Sequence, residues 1–459
     1  MIRFIMLSIF SLSLWAQVLP MGAGMPVNSV ATPGWVQSCN GQSSGSNTTA
    51  TCTFGANITA GDFLRVCFVE NSGGSPVVTW GGDTGSFVTD VNNFNWFTAN
   101  VWNFCGYTLS ASGGQKTITA YLGGQTFAYT IVADEFSNVG PPEVMDYNNV
   151  PPGGSTLSTN TIYPQTNGDL IVGDFTIYGT SLSASSPWTK YAAYNNNNNY
   201  QVTMQASYIQ TTAAPVSGSV TIGGSGSHTF QQLTAFRPKG VTPAGPLIQS
   251  CTVSRNDGGT LTCTFPVNIT AGNLLVACST GDWPYGIGAQ NWGGDSGTWV
   301  VDAGISNEWS GSYGSGNHPY TMCAHILSAG GGGNTITITG GGQGQVILAA
   351  EFHLSGTVAT DGGNWNNLGT GTSWASNSIT TTSNGDLVVG TLWCWNATYG
   401  TEPAPGSGWS VAALTEDTYG AENFGSIMVY RVQPSAGAIT SSATYPSSMQ
   451  WMGTVAAYK

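Results

Sequence analysis

Acidic residues recur between the two halves of this 459-residue chain: Asp83 with Asp295, Asp90 with Asp302, Glu135 with Glu351, Asp169 with Asp386, and Asp146 with Asp361. Glycoside hydrolysis needs two carboxyl groups facing one cleft. The pattern does not supply them. Asp134 stands beside Glu135, but neighbouring strand residues point to opposite faces, and Asp134 is replaced by Ala350 in the second half. Asp169 and Asp386 close Asn-Gly-Asp turns, and Asp83 and Asp295 close Gly-Gly-Asp turns, where a carboxylate bonds its own loop. A calcium ion at these loops would draw on the same oxygens. The histidines are His228, His318, His325 and His353, three of them in the second half, and no G-x-S-x-G elbow accompanies them. The residues therefore predict no catalytic site, cofactor or metal; a secreted hydrolase is the remote alternative.

Cysteine and tryptophan carry the remaining chemistry. Cys39, Cys52, Cys67 and Cys105 correspond to Cys251, Cys263, Cys278 and Cys323, and Cys394 is left over. An even set in each half of an exported chain implies disulfides, and four cysteines allow three pairings. The preferred set is Cys39–Cys52 and Cys67–Cys105, with Cys251–Cys263 and Cys278–Cys323. The first bridge would close the turn-rich loop between its cysteines, and the second would tie two long strands. Zinc is the rival, but no C-x-x-C occurs and the histidines do not recur. Cys394 shares a strand face with Val388, Gly390 and Leu392, matching Ile171, Gly173, Phe175 and Ile177, which predicts a buried free thiol.

The chain has sixteen tryptophans. Trp80 with Trp292, and Trp188 with Trp409, recur and read as core. Trp393 and Trp395 lie on the strand face opposite Cys394, where the first half has Thr176 and Tyr178 beyond Asp174. A polar counterpart predicts an accessible face. Two rings at alternate strand positions there would form a platform on which sugar rings stack. Trp96, Trp102, Trp309, Trp365 and Trp374 could extend it.

These residues are positioned by a duplication. Val36-Gln37-Ser38-Cys39 returns as Ile248-Gln249-Ser250-Cys251. Asn57-Ile58-Thr59-Ala60-Gly61 returns as Asn268-Ile269-Thr270-Ala271-Gly272, and Asn167-Gly168-Asp169-Leu170 returns as Asn384-Gly385-Asp386-Leu387. The copies run over 35–237 and 247–459, joined by a Pro/Gly-rich linker at 238–246. Short β-rich runs bounded by Gly, Asn, Ser and Pro, without helical periodicity, predict an all-β fold. The expectation is two tandem homologous β-sandwich domains of jelly-roll type, one large sandwich per copy. Two smaller immunoglobulin-like sandwiches per copy are the alternative.

Charged residues make up only 7% of the chain, and Gly, Ser, Thr and Asn fill the polar positions. A net charge of −13 excludes nucleic acid as a partner, because no cationic footprint exists. Residues 1–31, with Arg3 ahead of the apolar run Phe4–Leu19, read as a signal peptide and leader. No later segment suggests membrane insertion of the mature chain. The ordered set ITAG(D/N)(F/L)L, then Glu-Phe, then NGDL(I/V)VG resembles a group of exported bacterial tandem β-sandwich domains. That resemblance implies the fold and export, with no activity attached. The expectation is a non-catalytic secreted or cell-surface binding protein whose partner is a polysaccharide or cell-surface glycan. A structural or adhesive matrix or surface-layer component is the alternative.

Overall fold

Period-two alternation decides the structure. In Thr335–Thr339 the isoleucines are buried and the threonines face outward, and in Val216–Gly223 valine and isoleucine alternate with outward serine and threonine. The computed structural model describes residues 31–459 apart from 72–77, 83–84, 86, 96–100, 122–126, 149–154, 179–180, 197–200, 224–226, 242–244, 256–259, 284–290, 303–306, 309–317, 340–342, 396–401 and 420–421. Thus the expected signal segment, apart from Ala31, lies outside the described residues. Ala31–Lys459 forms one unit, and the elements in it are strands throughout.

The strands fall into four similar sets. The first comprises β1 (Gly34–Asn47), β2 (Thr49–Thr53), β3 (Phe63–Asn71), β4 (Thr79–Gly82), β5 (Val88–Asn95), β6 (Val101–Thr108), β7 (Thr117–Tyr121) and β8 (Phe127–Ser137). The second comprises β9 (Val139–Asn148), β10 (Thr156–Ile162), β11 (Asp169–Tyr178), β12 (Ser181–Ala184), β13 (Thr189–Asn196), β14 (Gln201–Gln210), β15 (Val216–Gly223) and β16 (Ser227–Pro238). The third comprises β17 (Leu247–Arg255), β18 (Leu261–Thr264), β19 (Leu274–Trp283), β20 (Asn291–Gly293), β21 (Val300–Val301), β22 (Asn307–Glu308), β23 (His318–Ile326), β24 (Thr335–Thr339) and β25 (Gln343–Phe352). The fourth comprises β26 (Thr360–Ala375), β27 (Ile379–Thr381), β28 (Asp386–Trp395), β29 (Ala404–Pro405), β30 (Ser410–Tyr419), β31 (Glu422–Gln433), β32 (Gly437–Ile439) and β33 (Ser442–Tyr458).

All four sets wind alike. The larger sheets read β1-β8-β3-β6-β5, β9-β16-β11-β14-β13, β17-β25-β19-β23-β21 and β26-β33-β28-β31-β30, and all pairs are antiparallel. The smaller sheets read β2-β7-β4, β10-β15-β12, β18-β24-β20 and β27-β32. This is jelly-roll winding with the fifth strand placed in the larger sheet. Each sequence repeat therefore contains two sandwiches of about one hundred residues rather than one large one. The alternative of two small sandwiches gives the right number but the wrong winding.

Within each sandwich the two sheets enclose an apolar core. Leu64, Val66 and Ile131 of the first larger sheet meet Cys52, Ile118 and Ala120 of its smaller partner. Within each half the two larger sheets then face each other. Phe63, Tyr107 and Phe136 pack on Leu170, Val172 and Phe236 in the first half. Leu274, Val276 and Leu348 share a core with Leu387, Val389 and Tyr458 in the second. Each half is thus four layers deep, and its larger sheets are buried on both faces. The halves also touch directly: the Tyr107 hydroxyl donates to Pro266 O at 2.8 Å, and Arg237 Nη2 to Ile248 O at 3.0 Å.

Four disulfides are present: Cys39–Cys52, Cys67–Cys105, Cys251–Cys263 and Cys278–Cys323. Cys39–Cys52 and Cys251–Cys263 join the two sheets of a sandwich, while Cys67–Cys105 and Cys278–Cys323 link directly opposed residues on neighbouring strands. Four disulfides suit an oxidising, extracellular environment. Among the described residues no helix is long and apolar enough to cross a membrane.

Two local features repeat four times. A turn precedes the third strand of every set: Thr59-Ala60-Gly61-Asp62, Thr166-Asn167-Gly168-Asp169, Thr270-Ala271-Gly272-Asn273 and Ser383-Asn384-Gly385-Asp386. Its glycine has φ of 85°, 86°, 88° and 86° in turn, a left-handed conformation that glycine adopts without steric cost. A β-bulge also interrupts the first strand of every set, at Val36, Glu143, Ile248 and Asp361.

Candidate functional site

The repeated turn and the repeated bulge meet at one place in each sandwich, and Glu135, Glu351, Asp169, Asp386 and Asp361 lie there. In the first set, the Thr59 backbone N–H donates to Glu135 at 2.8 Å and Gln37 Nε2 donates to the other carboxylate oxygen. Gln37 Oε1 accepts from Ala56 N at 3.1 Å, so one side chain ties strand, turn and acid together. The third set repeats this with Thr270 N and Gln249 Nε2 on Glu351. Here Asn273 Nδ2 donates to Glu351, whereas the first set has Asp62. Two carboxyl groups then meet at one proton. Burial, followed by the charge of Glu135 and a hydrogen bond to it, pushes Asp62 up to about 6.

The other two sets use the bulge residue itself. Glu143 accepts from Thr166 N and Oγ1 and lies beside Asp169, which is fully buried. Burial and the Glu143 pairing raise Asp169 to about 9, with Arg237 opposing. Asp361 accepts from Thr382 N and Oγ1 and from Lys459 Nζ at 2.8 Å. Lys459 and Thr382 hold it below the usual carboxylate range, while burial and Asp361 raise Asp386. The bulge register makes Glu143, not Asp146, the counterpart of Asp361. These nodes can hold a proton and pin a turn. Both oxygens of Glu135, Glu143, Glu351 and Asp361 accept hydrogen bonds at the turn, whereas buried Asp169 meets no donor there among the described residues and Asp386 meets Ser383 N through one oxygen alone.

The other described sequence candidates form turn contacts or packing. Asp295 accepts from the backbone N–H groups of Gly297, Gly330 and Gly331 at 2.8, 2.7 and 3.0 Å, so its own loop engages the carboxylate. His325 is buried, with Nδ1 2.8 Å from Asp302 and its ring against Tyr458. The one group of described residues with metal-ligand spacing is Cys67, Cys105 and Asp174, and its two sulfurs are bonded to each other. Cys394 is buried and stands outside the four disulfides. Trp80 and Trp292 pack against cores, Trp188 and Trp409 lie within them, and Trp374 stacks on Tyr445. The side chains of Asp83, Asp90, Asp146, Trp96, Trp102, Trp309, Trp365 and Trp395 lie outside the described residues.

Trp393 corrects the expectation of an accessible platform. It is 2% exposed, on the central strand β28, and points between the two larger sheets of the second half. The inference failed because the corresponding face of the first half is polar without being wet. Arg65 Nε and Nη2 bond Asp174 Oδ2 at 2.9 and 2.7 Å, Arg65 Nη2 also bonds Gln232, and Gln205 Nε2 bonds Asp174 Oδ1 at 2.8 Å. All four side chains are buried between the sheets. The second half replaces Arg65 with Val276 and Asp174 with Thr391, leaving room for an indole. Buried Asp134 borders this cluster. Burial and the Asp174 charge raise it well above the carboxylate range, with the Trp35 side chain opposing.

An aromatic site that sequence reasoning missed lies in the first half. Trp35, next to the bulge residue Val36, is 45% exposed. Its indole stacks on Tyr191, with centroids 5.0 Å apart and planes 11° from parallel. Tyr191 is itself a bulge residue in β13, and Phe136 meets its ring edge-on at 6.0 Å. Ser38 Oγ donates to the Tyr191 carbonyl at 3.1 Å. The two bulges thus turn aromatic rings toward each other across the edges of two sheets. Leu247 and Ala412 occupy the same register in the second half, both buried. The available sequence signal was the bulge-flanked Trp-Val-Gln, which alternation alone misassigns. No family model, curated protein or solved structure matches the chain.

Proposed function

We propose that this protein is a non-catalytic, secreted or cell-surface binding protein that takes a neutral glycan on Trp35. The supporting observation is a half-exposed indole held flat by a stacked tyrosine beneath it. A pre-oriented aromatic face offers a sugar ring apolar contact at little entropic cost, since the support has already fixed the rotamer. The resemblance to exported bacterial β-domains and the disulfides support the location. The acid nodes, engaged in turns, support a non-catalytic reading. Binding belongs to the first half, because Leu247 replaces Trp35 in the second. The test is a glycan-array screen of the mature protein and its Trp35→Ala variant. Binding that vanishes in a variant of unchanged melting temperature is expected. Equal binding by both refutes the site, and no binding by either refutes the reading.

A second reading, a structural or adhesive component, is favoured by the four-layer halves, whose larger sheets are covered on both faces. It requires self-association, which size-exclusion chromatography of the mature chain measures.

A further inference from the structure

Three of the four smaller sheets turn outward faces to solvent that are rich in hydroxyl groups. On β24, Thr335, Thr337 and Thr339 point outward between buried isoleucines. Thr262 and Thr264 of β18 stand directly opposite Thr337 and Thr335. In the first set Thr49, Thr51 and Thr53 of β2 stand opposite Tyr121, Thr119 and Thr117 of β7, and the Thr53 and Thr117 hydroxyls lie 3.2 Å apart. In the second set Ser217, Ser219 and Thr221 of β15 are exposed, with Ser158 opposite Ser219 and Thr156 opposite Thr221.

Strand geometry spaces these groups on a grid. Outward residues repeat at roughly 6.6–6.8 Å along a strand and roughly 4.7–4.9 Å between strands. Threonine adds a methyl group beside each hydroxyl. Strand propensity accounts for threonine but would serve equally well with valine, isoleucine or tyrosine. Edge strands, which make up two of the three strands in each of these sheets, normally carry lysine or another charge to deter pairing. Here the nine strands of these three sheets contain no Asp, Glu, Lys, Arg or His, in a chain whose net charge is −13. The charge has been kept off three separate faces.

We propose that these hydroxyl faces bind ice. The partner implied by an uncharged two-dimensional grid is a neutral surface that is itself periodic, and the spacing is close to the oxygen repeat of an ice crystal face. Hydroxyl groups enter the water lattice as donors and acceptors, and the methyl groups sit in its hollows. An ammonium or carboxylate would hold liquid-like hydration and break the match, so exclusion of charge is the expected signature. Sheet twist turns neighbouring strands by about 20–25°, so the grid holds only over narrow faces, and these are three strands wide. This site is separate from Trp35.

The test uses the purified mature chain. Ice-crystal shaping and inhibition of recrystallisation are measured for the wild type, for the triple variant Thr119→Lys, Ser219→Lys, Thr337→Lys, and for Trp35→Ala. Each lysine lies at the centre of one face, and melting curves establish that the triple variant is folded. Wild type and Trp35→Ala are expected to shape ice, with loss of the effect in the triple variant. A wild type that leaves ice unshaped overturns the proposal, as does a folded triple variant with full activity. Binding of the wild type to crystalline cellulose or chitin, lost in the triple variant with no effect on ice, would assign the faces to polysaccharide and equally overturn it. Should the triple variant not fold, Thr337→Val with Thr119→Val and Ser219→Ala removes the hydroxyls at little cost in shape, and retained ice shaping then overturns the proposal.

Discussion

Replacing Asp62 with Asn should stabilise the protein at neutral pH and flatten its response to acid. The chain already contains the comparison, because the third set has Asn273 at this position, donating to Glu351. Asp62 instead faces Glu135 and titrates at about 6. An unfolded aspartate titrates near ~3.9, and a gap of roughly two pH units corresponds to roughly 3 kcal/mol if undamped. Asp62 is partly exposed, so screening leaves about 1 kcal/mol. The sign follows from linkage. The folded state holds the proton more tightly, so the contribution of Asp62 is fully present below about pH 4 and is lost as pH rises to about 6. Above that the wild type carries a constant deficit, which the variant lacks. Calorimetric melting at pH 4, 5, 6 and 7.5 checks this. The variant should melt roughly 1–2 °C higher at pH 7.5, with the gap closing toward pH 4. A variant that melts lower at pH 7.5, with a gap independent of pH, would refute the shared-proton account.

Trp393→Ala should destabilise by about 3–5 kcal/mol, as for any large buried side chain, and melting curves will show it; a change below about 1 kcal/mol would return Trp393 to the surface. Asp174→Thr strands the Arg65 guanidinium between two sheets and should cost about 3–5 kcal/mol, measured by urea unfolding. Adding Arg65→Val installs the second half's residues, Val276 and Thr391, and should recover most of that loss. A double variant no more stable than Asp174→Thr would show that the ion pair is not what sets the cost.

The sequence exposed the long repeat because whole motifs return in order, and the cysteine spacing pointed to the same four bridges now seen. The shorter repeat was hidden. Only a turn of the type (Thr/Ser)-x-Gly-(Asp/Asn) and one bulge mark it, and the first strand varies from Trp-Val-Gln to Pro-Glu-Val between sets. Bulges also defeat alternation. The stretch from Glu351 to Asp361 is two residues longer than that from Glu135 to Glu143, which made Asp146 look like the partner of Asp361, and the bulges at Val36 and Tyr191 re-aim the aromatic pair. Trp393 was misplaced because a polar strand face reads as wet, whereas Asp174 and Gln205 are polar for Arg65. Interior charges satisfied across a sheet interface leave no one-dimensional signal.

The face-to-face seam in each half has a bearing on ancestry and on protein production. A single sandwich of this kind would present Phe63, Tyr107 and Phe136, or Leu274, Val276 and Leu348, to water. A gene encoding one such unit would favour a product that associates with its own copy through that face, as homodimers do. Fusion of two such genes, followed by doubling of the fused pair, yields four units in which adjacent partners are covalently guaranteed. Once the partner is guaranteed, its two sides need no longer match, and the seams can drift apart, one toward Arg65 and Asp174, the other toward Trp393. Recombinant fragments cut inside a half should therefore aggregate, whereas a cut within 238–246 separates two pieces whose seams remain closed.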